Sequence, residues 1–162
     1  MPRPTPEFKK IDLNDEGAVT QILTLQKLAY AKEAEIIGYT NIPPLFDTKR
    51  TIRQSNERFT GLYLGNQLVG MIATTQSNRV IEICRLVVHP QHTSRKHATR
   101  LLTYIENAQP CPKRIVVSTA EKNLPALALY SKCGYKQIGS SVTGDGLTLV
   151  KLEKTLSEQS AT

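Results

Sequence analysis

The chain has no CxxC pair, no apolar run near the roughly eighteen residues of a membrane span, and no apolar core near its first residue. Each absence removes a class of protein. The three cysteines, Cys84, Cys111 and Cys133, are odd in number and lack paired-ligand spacing, which excludes a disulfide framework and reads as reduced thiols in a cytosol. MPRPTPEFKK lacks the hydrophobic segment of a secretory signal, so a cytoplasmic protein with no membrane attachment is expected. Also missing are a basic stripe interleaved with aromatics and any nucleic-acid-binding motif. The formal charge of +7 therefore argues less for nucleic acid than for an acidic surface or a polyanionic small molecule.

What is present suits one globular domain: 162 residues, 40% hydrophobic and 22% charged, enough to bury a two-layer core. A single domain over 8–155 is expected, with 1–7 and 156–162 as flexible tails. FKKIDL (8–13) fits a short strand. Asn14 then caps a helix from Asp15 to Ala31, whose Val19, Ile22, Leu23 and Leu25 keep one face buried. Residues 32–57 are irregular, interrupted by Pro43–Pro44, with a short helix around Asp47–Asn56. RFTGLYLG and QLVGMIATTQ, joined at Gly65–Asn66, form a hairpin. VIEICRLVV (80–88), almost continuously apolar, suits a central strand buried on both faces. Ala98, Leu101, Leu102 and Ile105 recur at helical spacing until PCP (110–112) stops the helix. RIVVST (114–119) is a further buried strand. Asn123 to Lys132 is helical, with Gly134 just past its end, and YKQIG and LTLVKLE (147–153) form a last hairpin. The order β-α-α-β-β-β-α-β-α-β-β is that of an α/β (α+β) domain, a mixed sheet flanked by helices.

Three places carry chemistry. Glu82 is one of two charged residues in the apolar run 80–88, the other being Arg85. An ionised carboxylate there needs a partner, a proton or water. A structural pair with Arg85 or a lysine explains it, as does an edge position facing solvent; so does a general base in a partly dry cleft. HPQHTSRKHATRLL (89–102) runs from a strand into a helix, where free backbone N–H groups and a helix dipole make an anion site. Thr93 or Ser94 could equally be a simple cap. In NLPALALYSKCGY (123–135), Asn123 reads as an N-cap and Tyr130 as a packed phenol with its hydroxyl on the rim.

Together these segments resemble the GNAT superfamily of acyl-CoA-dependent N-acetyltransferases, over about 60 residues from Val80 to Gly139. RLVVHPQHTSRKHATRLL is similar to the superfamily's L-x-V-x-P-x-x-[Q/R]-x-x-G-x-[G/A]-x-x-L-L, with Leu86, Val88, Pro90, Ala98, Leu101 and Leu102 in place. NLPALALYSKCGY is similar to N-x-x-A-x-x-L-Y-x-K-x-G-[F/Y], matched at Asn123, Ala126, Leu129, Tyr130, Lys132, Gly134 and Tyr135.

The resemblance implies a mostly antiparallel sheet of about seven strands with about four helices, and transfer of an acetyl group from acetyl-CoA to a primary amine in a ternary complex. It implies that Ser94, Arg95, Lys96, His97, Ala98 and Thr99 bind the CoA pyrophosphate. Leu86, Val87 and Val88 would pair with the pantetheine arm, and Asn123 would contact the cofactor. Tyr130 would be the general acid toward the departing thiolate. Glu82, eleven residues before Thr93, falls where some members carry the base. Thr93, Ser94 and Lys96 depart from the motif; Lys96 replaces a glycine, so retained but weakened CoA binding is expected, its ammonium adding phosphate contacts with Arg95 and Arg100. That departure also motivates the alternative, a catalytically weakened CoA-binding or regulatory module. Glu33 and Glu35 read as a solvated helix face or, if they line the acceptor groove, as an attraction for a cationic amine. His89, His92 and His97 lack a cluster of cysteines or carboxylates, so no metal is expected. The partner implied is an amine acceptor of unspecified identity; a homodimer is common in the superfamily, although no feature here demands one.

Overall fold

The computed structural model describes residues 5–108 and 111–156, with the backbone alone of Ser94 and Arg95. Residues 1–4 and 157–162, most of the two expected tails, and Pro110 of the expected helix stop lie outside the described residues. Among the described residues, seven strands and four α-helices follow in the predicted order. They are β1 (Glu7–Lys10), α1 (Glu16–Ile37), α2 (Lys49–Gln54), β2 (Arg58–Leu64), β3 (Gln67–Ser77), β4 (Val80–Val88), α3 (His97–Glu106), β5 (Arg114–Ala120), α4 (Leu124–Lys132), β6 (Lys136–Val142) and β7 (Thr148–Thr155). Two 3₁₀ segments, Pro43–Phe46 and Pro90–Arg95, precede α2 and α3; proline opens each because its lost N–H would be unsatisfied there anyway.

The strands form one sheet of order β1-β2-β3-β4-β5-β7-β6. Every pairing is antiparallel except β4 with β5, the mixed and mostly antiparallel sheet that the resemblance implies. The sheet is covered on both faces. Val19, Ile22 and Leu25 of α1 pack with Phe59, Met71, Ala73 and Val87 on one face. On the other, Leu101, Leu102 and Ile105 of α3 and Tyr130 of α4 pack with Leu62, Ile72, Ile83, Ile115 and Val117.

Three local expectations are corrected. Asp15, not Asn14, caps α1, its Oδ1 accepting from the N–H groups of Gly17 (2.9 Å) and Ala18 (3.3 Å). The helix runs six residues beyond Ala31, to Ile37, and stops where Gly38 takes a left-handed φ of 66°. Finally, β4 is central but not buried on both faces: Ile81, Ile83 and Val87 are buried, while Glu82 and Cys84 are exposed. The opened side of the strand is where the site forms.

Candidate active site

The parallel pairing of β4 with β5 runs only from Val80–Arg114 to Ile83–Val117. Beyond it the strands diverge. Residues 85–88 of β4 stay paired with β3 on one side, and Ser118–Ala120 of β5 stay paired with β7 on the other. Their facing edges have no strand partner, so a gap with main-chain donors and acceptors on both walls opens in the middle of the sheet. At Cys84 the register with β3 slips, since Ala73 faces Arg85 and Thr74 faces Ile83; this bulge turns β4 outward as the gap begins. A cleft of about 190 Å³ occupies the mouth, walled by Tyr30, Glu33, Cys84, Leu86, Ser118 and Leu147 among others.

Glu33 comes from the six residues of α1 beyond Ala31. Its Oε1 accepts a 2.6 Å hydrogen bond from Asn123 Nδ2, while Asn123 Oδ1 caps α4 through the Ala126 N–H at 3.2 Å. Asn123 is buried, with Nδ2 on Glu33 and Oδ1 on the start of α4, so it fixes the position of Glu33. Burial raises the Glu33 carboxyl above the ordinary carboxylate range, against the lowering effect of the Asn123 bond. Tyr130 is buried at the end of α4, edge-on to Tyr135 with ring centroids 5.5 Å apart. Burial first, and then the Glu33 charge, raise its phenol well above the ordinary range, so it keeps its proton. The same two causes, in the same order, raise Tyr30, which lines the cleft one turn before Glu33 on α1.

Glu82 is exposed and does not line the cleft. Nor is it paired with Arg85, whose partners lie elsewhere. The Arg85 guanidinium meets Glu57 through two bonds of 2.9 and 3.1 Å, Asp47 at 2.5 Å and the Gln26 side-chain oxygen at 2.7 Å. Gln26 in turn donates to Asp47 and to the Pro44 carbonyl. Burial works against the Arg85 charge, but these bonds outweigh it and raise its pKa. The irregular segment around Pro43–Pro44, one wall of the cleft, is thus tied to β4 through Arg85.

Glu35 also separates from the cleft. Two residues along a helix is about 200° of rotation, so Glu33 and Glu35 cannot share a face. Glu35 is exposed and pairs with Lys32 at 3.6 Å. The Tyr39 hydroxyl, unmarked by the sequence motifs, donates to Asp145 of the last hairpin turn and narrows the cleft from that side. Cys84 lines the cleft rather than the core, yet burial, then the Glu57 charge, raise its thiol, the reverse of an activated nucleophile.

The turn before α3 keeps its predicted place. Lys96 sits at φ 62°, ψ 21°, the left-handed conformation in which the motif's glycine is unstrained. It supplies no side-chain cap, so the first-turn amides of Ala98 and Thr99 point toward an anion at the start of α3. The His97 side chain is itself buried. Side-chain roles of Ser94 and Arg95 lie outside the described residues. A β-branched residue fits the left-handed region worst. Lys96→Val is therefore expected to cost about 1–2 kcal/mol in thermal denaturation, and Lys96→Gly nothing. Of the strand residues expected at the cofactor, Leu86 lines the cleft, Val87 points its side chain into the core and Val88 is half-buried at the gap. Among the described residues no three His, Cys, Asp or Glu side chains converge as a metal cage needs, and no helix is long and apolar enough to cross a membrane.

Comparison with known proteins gives a consistent picture. Residues 44–156 match the family model of the acetyltransferase (GNAT) domain. The PaiA N-acetyltransferase of Thermoplasma acidophilum, solved in complex with coenzyme A, superimposes with a TM-score of 0.75 at 18% identity, over 94% of this chain and 99% of that one. The ribosomal-protein-S18-alanine N-acetyltransferase of Escherichia coli does so with a TM-score of 0.74 at 13% identity, over 94% and 95% of the two chains. In sequence, the UPF0157 protein YqkA of Bacillus subtilis is 36% identical over 129 residues, which are 80% of this chain; the match spans 38% of that protein's length.

Proposed function

The chain belongs to the GNAT acetyltransferase family, and from that premise we propose that it transfers an acetyl group from acetyl-CoA to a primary amine, small molecule or protein, by direct attack in a ternary complex. The observation that carries this reading is the β4–β5 gap, with the Asn123-held Glu33 lining its cleft and Tyr130, its proton retained, buried close enough to Glu33 for that charge to act on it. The residues fit the co-substrate. The unpaired edge of residues 85–88 can hydrogen-bond an amide-bearing arm as a strand would, and the uncapped start of α3 suits its pyrophosphate.

An amine attacks only when deprotonated. Glu33, raised by burial and fixed through Oε1, takes that proton on its other oxygen. This assigns to Glu33 the role that spacing suggested for Glu82, because Glu33 lines the cleft and Glu82 does not. Unpaired N–H groups at the gap meet the oxyanion as it forms. Tyr130 donates to the departing thiolate. Burial raises the Cys84 thiol, which disfavours an acyl-cysteine intermediate and favours direct attack. Most of the acceleration comes from holding two substrates in register, since the thioester is already activated.

Two arms test the reading: thiol release from acetyl-CoA with a panel of amines, and calorimetry with CoA. Tyr130→Phe is expected to lower turnover by about 10²-fold while CoA still binds. No release with any amine, despite CoA binding, would leave the weakened-module reading. No CoA binding at about 1 mM would remove both.

A further inference from the structure

The largest cavity described lies away from the cleft, on the sheet face covered by α3. It measures about 1140 Å³, against about 190 Å³ for the cleft, and opens between α3 and strands β1–β3. Its floor follows from the register. Lys10, Thr60 and Ile72 form one cross-strand row, and Arg58, Thr74 and Ile83 the next, so all six side chains share a face. In both rows the β4-ward end is apolar and packs under α3, while the β1-ward end is hydroxyl and cation. The roof is the α3 stripe Arg100, Thr103, Tyr104 and Asn107, at i, i+3, i+4 and i+7. Tyr104 closes one end by stacking on Phe8, with centroids 4.7 Å apart and planes at 15°.

The electrostatics are one-sided. Lys10 and Arg58 are diagonal neighbours on β1 and β2, an arrangement that repels unless an anion lies between them. Arg100 approaches from the roof, with its Nη1 3.2 Å from His97 Nδ1. No aspartate or glutamate lines the cavity, and among the described residues none of the three cations forms an ion pair. Elsewhere the same chain does pair its cations, as Arg53 with Glu16 and Lys154 with Glu106 show. A polar, hydroxyl-rich floor where a helix covers a sheet sacrifices core packing, which is a reason to look for a ligand rather than for stability.

We propose that this cavity binds a small polyanion of about nucleotide size, a phosphorylated or polycarboxylate compound held by Lys10 and Arg58 from the sheet and Arg100 from α3. The site is separate from the β4–β5 gap and does not depend on the acetyltransferase reading. Inorganic triphosphate, ATP and citrate are the probes, followed by calorimetry and thermal shift in low salt, with and without saturating CoA; the three arms separate phosphate, nucleotide and carboxylate recognition. At least one is expected to bind in the presence of CoA. Lys10→Gln and Arg58→Gln should each weaken it about tenfold, the worth of one charge-assisted hydrogen bond, while the CoA response is unchanged. Lys10→Arg should restore binding. The proposal is overturned if no probe binds at about 10 mM, if both glutamine variants bind as the wild type does, or if CoA abolishes the binding by competition. It is also overturned if a single-stranded oligonucleotide binds through Lys10 and Arg58 where the small anions do not.

Discussion

Replacing Glu33 by glutamine is expected to lower kcat/KM for amine acetylation by about 10²- to 10⁴-fold, the contribution of a positioned general base. The amide oxygen can still accept from Asn123 Nδ2, so the pocket should keep its shape. Two readouts separate a chemical role from a structural one. Burial holds the Glu33 carboxyl above its ordinary range, so wild-type kcat/KM should rise with pH through that raised value, and Glu33→Gln should lose this limb while the limb from the amine's own titration stays. Stability should move the other way. A carboxyl whose folded pKa exceeds its unfolded value contributes nothing unfavourable below the unfolded pKa of about 4.5; it costs stability as pH climbs through the folded value. Glu33→Gln should therefore match the wild type in acid and be at least as stable at pH 8. A variant that is inactive and also unfolded at pH 8 would make Glu33 structural. Glu82→Gln is the counterpart: turnover near wild type is expected, and a loss as large as that of Glu33→Gln would return the base to β4.

Arg85→Met is expected to cost about 3–5 kcal/mol, read as a lower urea midpoint at unchanged slope. Side-chain exposures of 10% for Arg85, 13% for Asp47 and 11% for Glu57 decide the size of the effect, because surface ion pairs rarely exceed about 1 kcal/mol. Removing the guanidinium strands two buried carboxylates. Adding Asp47→Asn and Glu57→Gln to Arg85→Met should recover a large part of the loss, since a neutral network carries no such penalty. Activity should fall even where the protein is folded, because Gln26 and Asp47 hold the Pro43–Pro44 wall of the cleft. A triple variant no better than Arg85→Met would show that the Phe59 contact of the guanidinium matters more than its charge.

The sequence made element order and two cofactor segments legible because both are local. Hairpin turns, helix periodicity and the strand-turn-helix around Pro90 write themselves in neighbouring residues. What it hid is made by distance. Glu33 and Asn123 are 90 residues apart, and Arg85 reaches partners 28, 38 and 59 residues away; no spacing rule links them. The charges of KEAEII hide the last turns of α1, because they lie on two sides of the helix and only the side of Glu33 enters the cleft. In the strand VIEICRLVV, the bulge at Cys84 has no composition signal, and it is what converts a buried run into an opened one. Lys96 reads as a defect in the motif, yet its backbone holds the left-handed conformation that the motif glycine would adopt.

The short parallel pairing of β4 with β5 has a mechanical consequence. Four register pairs, Val80–Arg114 to Ile83–Val117, are the whole of the strand-to-strand connection between the β1–β4 and β5–β7 halves of the sheet. They close one end of a wedge. Amides at 85–88 and 118–120 that face the wedge should exchange with deuterium far sooner than those of Ile81 or Ile115. A ligand laid along both edges would serve as the missing strand, slowing that exchange and coupling the two halves into one unfolding unit.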